Sequence, residues 1–440
     1  MIVIRTVVVA AAALALSIEA SADRSYSPPV ENDFPDHVFW GDTHLHTQLS
    51  TDANAQGNKN ISPADAYVLA RGGTIHAHNG MEVKLHRPLD FLVIADHAEN
   101  LGVANAVQRR DPILMDTDVG TRLANAFDEL MADGSPEPDA FREFVYSLGT
   151  DDINDDRFRQ TIWDRVTRTA DQYNEPGTFS ALIGYEWTSR FENGTRHRVV
   201  IYKDGAEKTA QMLPFSARDS ANPEDLWRFL ARYEEVTGGE VMAISHNPNL
   251  SNGREFAVTD ISGQPFSLAH QKLRERWEPL LEVTQIKGDS ETLAILSPND
   301  EFAEYETWEG WSVIRGQGIG QREAAPMDAD RTRYEYARSG LKLGLQQYAE
   351  LGVNPFKFGM IGSTDAHTSL AAVEEDNFFG KHSGVEPEPH RWDHVVIASP
   401  KDPDLTTYGW QQASGGYAAV WATENTREAI FDAFARKEVY

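Results

Sequence analysis

The chain has 440 residues, a formal net charge of -28, 41% hydrophobic residues, 14 histidines and no cysteine. That length and apolar content exclude global disorder and fit either two or three average domains or one barrel-type domain carrying insertions. The charge argues against a nucleic-acid or anionic-membrane binder, which needs a basic footprint, and the missing cysteine rules out disulfides, a thiol nucleophile and thiolate metal sites.

Met1 to Ala22 reads as a secretory signal peptide. Arg5 gives the positive start, Val7 to Ile18 the apolar run, and Ala20-Ser21-Ala22 the cleavage site. The run is short of the roughly 20 residues that a membrane span needs. No other stretch reaches that length, so the mature protein is expected to start at Asp23, to be periplasmic or secreted, and to have no membrane partner. Residues 23–440 read as a single domain.

After a polar leader (Asp23 to Asp36), short apolar runs end in polar clusters. In chain order they are Val38–Trp40, Phe91–Ala95, Phe179–Tyr185, Val199–Tyr202, Val241–Ser245, Leu280–Leu281 and Phe358–Ser363. Continuous apolar runs of this length read as strands buried on both faces. Helical patterns lie between them. Pro63–Arg71 follows a Ser62 cap, Phe158 to Tyr173 keeps helical spacing, and Pro223–Glu235 opens after Asn222 and stops at Gly238-Gly239. Alternation of this kind predicts a parallel sheet, and polar residues at the strand ends are where a β/α barrel builds its site. Glu99–Glu175 and Gly288–Pro355, the latter with the patch Trp308-Glu309-Gly310-Trp311, read as insertions capping those ends.

His44-Leu45-His46 ends the first run, and positions i and i+2 of a strand project to one face, so both imidazoles can reach one divalent ion. H-x-H alone is weak. Here Asp96-His97 and Asp365-Ala366-His367 end two other runs, Glu186 a third and His246 a fourth, and His197 precedes a fifth. Burying so many imidazoles and carboxylates without a partner would be costly.

These residues resemble the PHP (polymerase and histidinol phosphatase) superfamily. Gly41-Asp42-Thr43-His44-Leu45-His46-Thr47 with Ser50 and Asp52 is similar to its first motif. Asp90-Phe91 through Ile94-Ala95-Asp96-His97 is similar to the second, with Ala95 where threonine is usual, and Gly362-Ser363-Thr364-Asp365-Ala366-His367 to the last. A secreted, uncharacterised subfamily is closer still, sharing Arg87-Pro88-Leu89-Asp90-Phe91, Gly184-Tyr185-Glu186-Trp187, Ser245-His246-Asn247, Gln285 to Glu291 and Asp300-Glu301-Phe302. The resemblance runs from Phe39 to Tyr440 with gaps over the insertions. Members of that subfamily continue beyond the Arg436–Tyr440 pattern, so a C-terminal β-rich segment is expected to be absent or cut away here.

The resemblance implies a distorted (β/α)7 barrel with two to three divalent ions. His44, His46, Glu186 and Asp365 would hold the first; Glu186, His197 and His246 the second; Asp52, His97 and His367 the third. Asp96 would orient a histidine rather than ligate, and Asp42 could do the same or simply build a strand-end turn. Glu282 either orients a ligand or pairs with Lys287. Nitrogen and oxygen ligands suit zinc, manganese or iron. Clustered ions lower the pKa of a bridging water, supply hydroxide and clamp phosphoryl oxygens. Arg190, Arg196 and Lys287 are candidates to bind the non-bridging oxygens. The expected activity is hydrolysis of a small phosphomonoester or phosphodiester. The alternatives are hydrolysis of a C–N, C–O or C–P bond, and non-catalytic metal binding by an exported protein. Bound ions would make the pocket locally positive, which reconciles a small anionic substrate with an acidic chain.

Overall fold

A computed structural model describes residues 35–132, 140, 143–145, 155–191, 194–303, 329–397, 403, 406–412 and 415–440. The signal-peptide segment and the Trp308–Trp311 patch lie outside the described residues. Nine strands form the main sheet: β1 His37–Leu45, β2 Phe91–Ile94, β3 Ser180–Phe191, β4 Gly194–Tyr202, β5 Val241–His246, β6 Leu280–Gln285, β7 Gly288–Asp289, β8 Gly359–Gly362 and β9 Ala418–Ala422. The spatial order is β8-β6-β5-β4-β3-β2-β1-β9, with β7 paired to β6. The pairs β1–β2, β2–β3, β5–β6 and β6–β8 are parallel. An isolated parallel bridge, Leu45–Ala366, brings the far end of the curled sheet back to β1.

The fold is mixed α/β, and it departs from the expected (β/α)7 repeat in one place that matters. β3 and β4 form a direct antiparallel hairpin, and β4 also runs antiparallel to β5. β3 continues past Tyr185 to Phe191, and β4 starts at Gly194. Glu186 and His197 are therefore mid-strand residues, not strand-end ones. The apolar run was a poor guide because the hairpin's continuation is polar where it faces the site.

Helices cover the sheet where their sequences say. α1 is Thr51–Ala55 and α2 Pro63–Ala70, the latter opened by a reciprocal Ser62–Asp65 capping box. α3 Val103–Arg109, α4 Asp118–Met131 and α5 Asp156–Tyr173 make up the first insertion, which has its own apolar cluster from Val103 to Ile162. Ala55 of α1 belongs to that cluster, and the Gly102 amide donates to the Leu49 carbonyl. The described part of this insertion thus packs on the segment following β1. α5 also joins the main core through Trp163, Val166 and Ala170, so it is the crossover from β2 to β3. α6 is Pro223–Thr237 and α7 Leu268–Trp277. α8 Ala337–Leu351 lies within the second expected insertion yet is an ordinary crossover helix leading to β8; α9 Arg427–Arg436 closes the chain. Among the described residues no helix is long and apolar enough to cross a membrane.

Behind β4 and β5 lies a buried charge network. Arg198 bonds Glu278 at 2.6 Å and Glu255 at 3.1 Å, Arg274 reaches Glu255, and the Ser245 hydroxyl donates to Glu255 at 2.7 Å. Arg198 and Ser245 adjoin His197 and His246, so the network braces those two histidines from the opposite face. Burial alone would raise the Glu255 pKa, but Arg198 and Arg274 bring it down to about 2. A depressed carboxylate stabilises the fold above its unfolded pKa and loses that contribution as pH falls through its folded one. Glu255→Gln should therefore destabilise the protein by about 3–5 kcal/mol near neutrality, since it removes a carboxylate that two buried guanidinium groups share and leaves Glu278 alone to balance both. Chemical denaturation should show the gap to wild type narrowing between pH 4.5 and 2; a constant gap would contradict the assignment.

Candidate functional site

The hairpin register places the site. Thr188 pairs with His197, and His197 with His246. Directly paired residues share a sheet face, and so do residues i and i+2, so Glu186, Thr188, His197 and His246 all point one way. The end of β1 adds His44 and His46, the end of β2 adds His97, α1 adds Asp52, and the turn after β8 adds Asp365 and His367. All nine expected ligands converge, and apart from Asp52, which is part-exposed, they are buried.

Three groupings are visible. His44 Nε2 lies 3.1 Å from both His46 Nε2 and Glu186 Oε2, and 3.8 Å from Asp365 Oδ1. His46 Nε2 lies 3.2 Å from Glu186 Oε2 and 3.3 Å from Asp365 Oδ1. The other oxygen of Glu186, Oε1, is 2.7 Å from His197 Nδ1 and 2.9 Å from His246 Nε2. Asp52 Oδ2 is 2.9 Å from His97 Nε2 and 3.3 Å from His367 Nε2.

The first grouping has the spacing of ligands around one ion: bonds of about 2.0–2.1 Å at tetrahedral angles separate donor atoms by about 3.3 Å. Several donor atoms also lack hydrogen-bond partners. Both nitrogens of His197 and Nε2 of His367 are buried and make no hydrogen bond, although acceptor oxygens stand beside them. Burial pushes both histidines down to about 3, against the pull of Glu186 and Asp52. Their low pKa leaves these imidazoles neutral, each with one lone pair that a divalent cation could take up. The donor set therefore fits divalent ions.

Four of the histidines are held from behind. His44 Nδ1 meets Glu282 at 3.0 Å, His46 Nδ1 meets the Ser50 hydroxyl at 3.0 Å, His97 Nδ1 meets the Thr188 hydroxyl, and His367 Nδ1 meets Gln56 at 2.6 Å. For His44, His46 and His367 such contacts fix the ring and turn its Nε2 inward, whereas His97 also sets its Nδ1 3.3 Å from Glu186 Oε2. Glu282 thus orients His44 and does not pair with Lys287.

Lys287 instead reaches Asp365. Lys381 does as well, at 2.9 Å from Oδ1, and also donates to the Asp365 carbonyl. Burial would raise the pKa of Asp365, but Lys287 and Lys381 hold it well below the usual carboxylate range. A cavity of about 270 Å³ lies in the first insertion, lined by Ala98, Asn100, Phe158, Arg159, Ser216 and Asp219 and by none of the nine donors.

Two expectations, for Asp96 and Arg196, need correction, and of the two alternatives for Asp42 the strand-end turn is the one seen. Asp96 touches no histidine; it accepts from the Thr47 amide at 2.5 Å and the Thr47 hydroxyl at 2.7 Å, fixing the turn after His46. Asp42 holds the His44 and Thr364 amides, tying β1 to β8. Arg196 adjoins His197 in an extended strand, so it points to the opposite face and lies near Glu255. Arg190 is on β3, but its side chain lies outside the described residues. Sequence reasoning missed Lys381, Gln56 and Thr188. Thr188 follows from Glu186 by i+2 once the strand is read to Phe191. Lys381 and Gln56 sit in loops with no periodicity to expose them.

The family model described as a protein of unknown function (DUF3604) matches residues 33–440. The chain belongs to the DUF3604 family. No curated protein matches this DUF3604 chain. Among solved structures, it is similar to a crystal structure from Bacteroides vulgatus, a two-domain protein containing a predicted PHP-like metal-dependent phosphoesterase. Identity is 12%, the match covers 95% of this chain and 68% of that one, and the TM-score is 0.32, too low to carry an argument.

Glu282→Gln should lower divalent-ion affinity about 10- to 100-fold while leaving the fold intact. Competition against a chromophoric chelator reads this directly, and unchanged affinity would remove Glu282 from the site.

Proposed function

We propose that this DUF3604 protein is an exported metal-dependent hydrolase of the PHP type that cleaves small phosphate esters. The observation that carries the anionic substrate is the pair of buried ammonium groups, Lys287 and Lys381, set against Asp365 within a cluster of nitrogen and oxygen donors. Export is supported by the charge, apolar run and cleavage pattern of residues 1–22.

Two to three ions of zinc, manganese or iron, held by the nine donors, would supply Lewis-acid activation of water and of the scissile group. Glu186 offers one oxygen to His44 and His46 and the other to His197 and His246, so it would link two ion sites. Lys381 is buried and locks Asp365 in place. Lys287 is more open, its side chain 13% exposed. An ammonium has three N–H donors, and those not spent on Asp365 are available to a phosphoryl oxygen. With the ions bound, a local excess of positive charge would select an anion, while the charge of -28 over the whole chain repels polyanions.

A chromogenic phosphate-ester assay tests the reading. Chelator should abolish turnover and Mn²⁺ or Zn²⁺ should restore it. Loss of one charge-assisted hydrogen bond costs about 1.5–3 kcal/mol, so Lys287→Gln should lower kcat/KM about 10- to 150-fold. Metal-loaded protein that is silent on mono- and diesters but turns over an amide or lactone would overturn the phosphoesterase assignment.

A further inference from the structure

We propose that Gln56 sets the tautomers of His367 and His382, and through His367 sets occupancy of the ion site shared with Asp52 and His97. The tautomer of His367 and the second half both rest on the metal reading above; the tautomer of His382 does not.

Gln56 Oε1 lies 2.6 Å from Nδ1 of His367 and 2.6 Å from Nδ1 of His382. An amide oxygen accepts and does not donate, and it has two lone pairs. Both Nδ1 atoms must then carry hydrogen, which leaves both Nε2 atoms with a bare lone pair. For His382 the far side agrees, since the Gln412 side-chain amide nitrogen faces its Nε2 at 3.4 Å. For His367 the far side holds only acceptors: Asp52 Oδ2 at 3.3 Å and Asp365 Oδ1 at 3.2 Å. A lone pair between two carboxylate oxygens is repulsive without a cation. The reversed amide would donate to both Nδ1 atoms, place hydrogen on His367 Nε2, and leave nothing there to bind an ion.

Gln56 is well placed to choose. It caps the C-terminus of α1, so it moves with Asp52 on the same helix. Gly57 follows with φ +111°, and a Cβ there would come within 3.1 Å of the Gly384 amide nitrogen. That close approach pins Gln56 against the loop carrying Lys381 and His382. Gln56 is thus a positioning residue, acting on the metal site through a histidine it does not share a helix or strand with.

Long-range ¹H–¹⁵N spectra of the histidine rings report tautomers, with His367 assigned by the signal lost in His367→Asn. Wild-type protein should show His367 and His382 protonated at Nδ1. Protonation at Nε2 in metal-free and metal-loaded wild type alike would overturn the proposal without any variant. Gln56→Glu keeps an acceptor and should keep both the tautomer and the full ion count. Gln56→Leu, checked for folding by circular dichroism, should lose the preference and raise the Kd of the weakest-held ion about 10- to 100-fold. Full ion affinity in Gln56→Leu would overturn the second half. If wild type binds no divalent ion at all, the metal reading fails, yet the spectra still decide the tautomer of His382.

Discussion

Everything in this fold answers to one cost, that of burying the Glu186 carboxylate. It is fully buried among six imidazoles and two further carboxylates, with its oxygens turned to different histidine groups. An ionised group in such a place is tolerated only when paired and hydrogen-bonded. Burial drives His197, His246 and His367 toward the neutral form, which supplies a lone pair rather than charge, whereas the carboxylates beside His44 and His97 push those two rings up. Lys287 and Lys381 offset part of the carboxylate charge at Asp365, and divalent ions bound by the remaining lone pairs would offset the rest.

The sheet is built to hold that arrangement. A strictly parallel repeat would offer one residue or short motif per strand end. The β3–β4–β5 antiparallel run instead lays Glu186, Thr188, His197 and His246 on one face at fixed register. The reverse face of the same strands carries Arg198 and Ser245, tied to Glu255. Stiffening one face by a buried ion network positions the ligands on the other. At the seam, Asp42 and the Leu45–Ala366 bridge join β1 to the turn after β8, so His44, His46, Asp365 and His367 meet although more than 300 residues separate them.

Much of the site was legible in the sequence. Eight of the nine donors sit beside an apolar run, whereas Asp52 came only from the resemblance of the first motif. The strand boundaries were less legible, since the hairpin from Glu186 to His197 is polar toward the site and breaks the apolar pattern. Contacts set by long-range loop packing left no local trace. Lys381 arrives because the loop at Lys381 returns to accept from the His367 amide, and Gln56 because two glycines meet. Asp96 misled for a related reason. Its place next to His97 suggested a ring partner, whereas the backbone of Thr47 was the nearer donor.

The central claim is that the buried cluster is a resident metal centre. Elemental analysis of purified, metal-replete protein, run beside His46→Ala, tests it most directly. The account predicts two to three divalent ions per chain in wild type and a loss of bound metal in the variant, with circular dichroism unchanged. Wild type free of stoichiometric metal, or a variant that keeps its full complement, would contradict it.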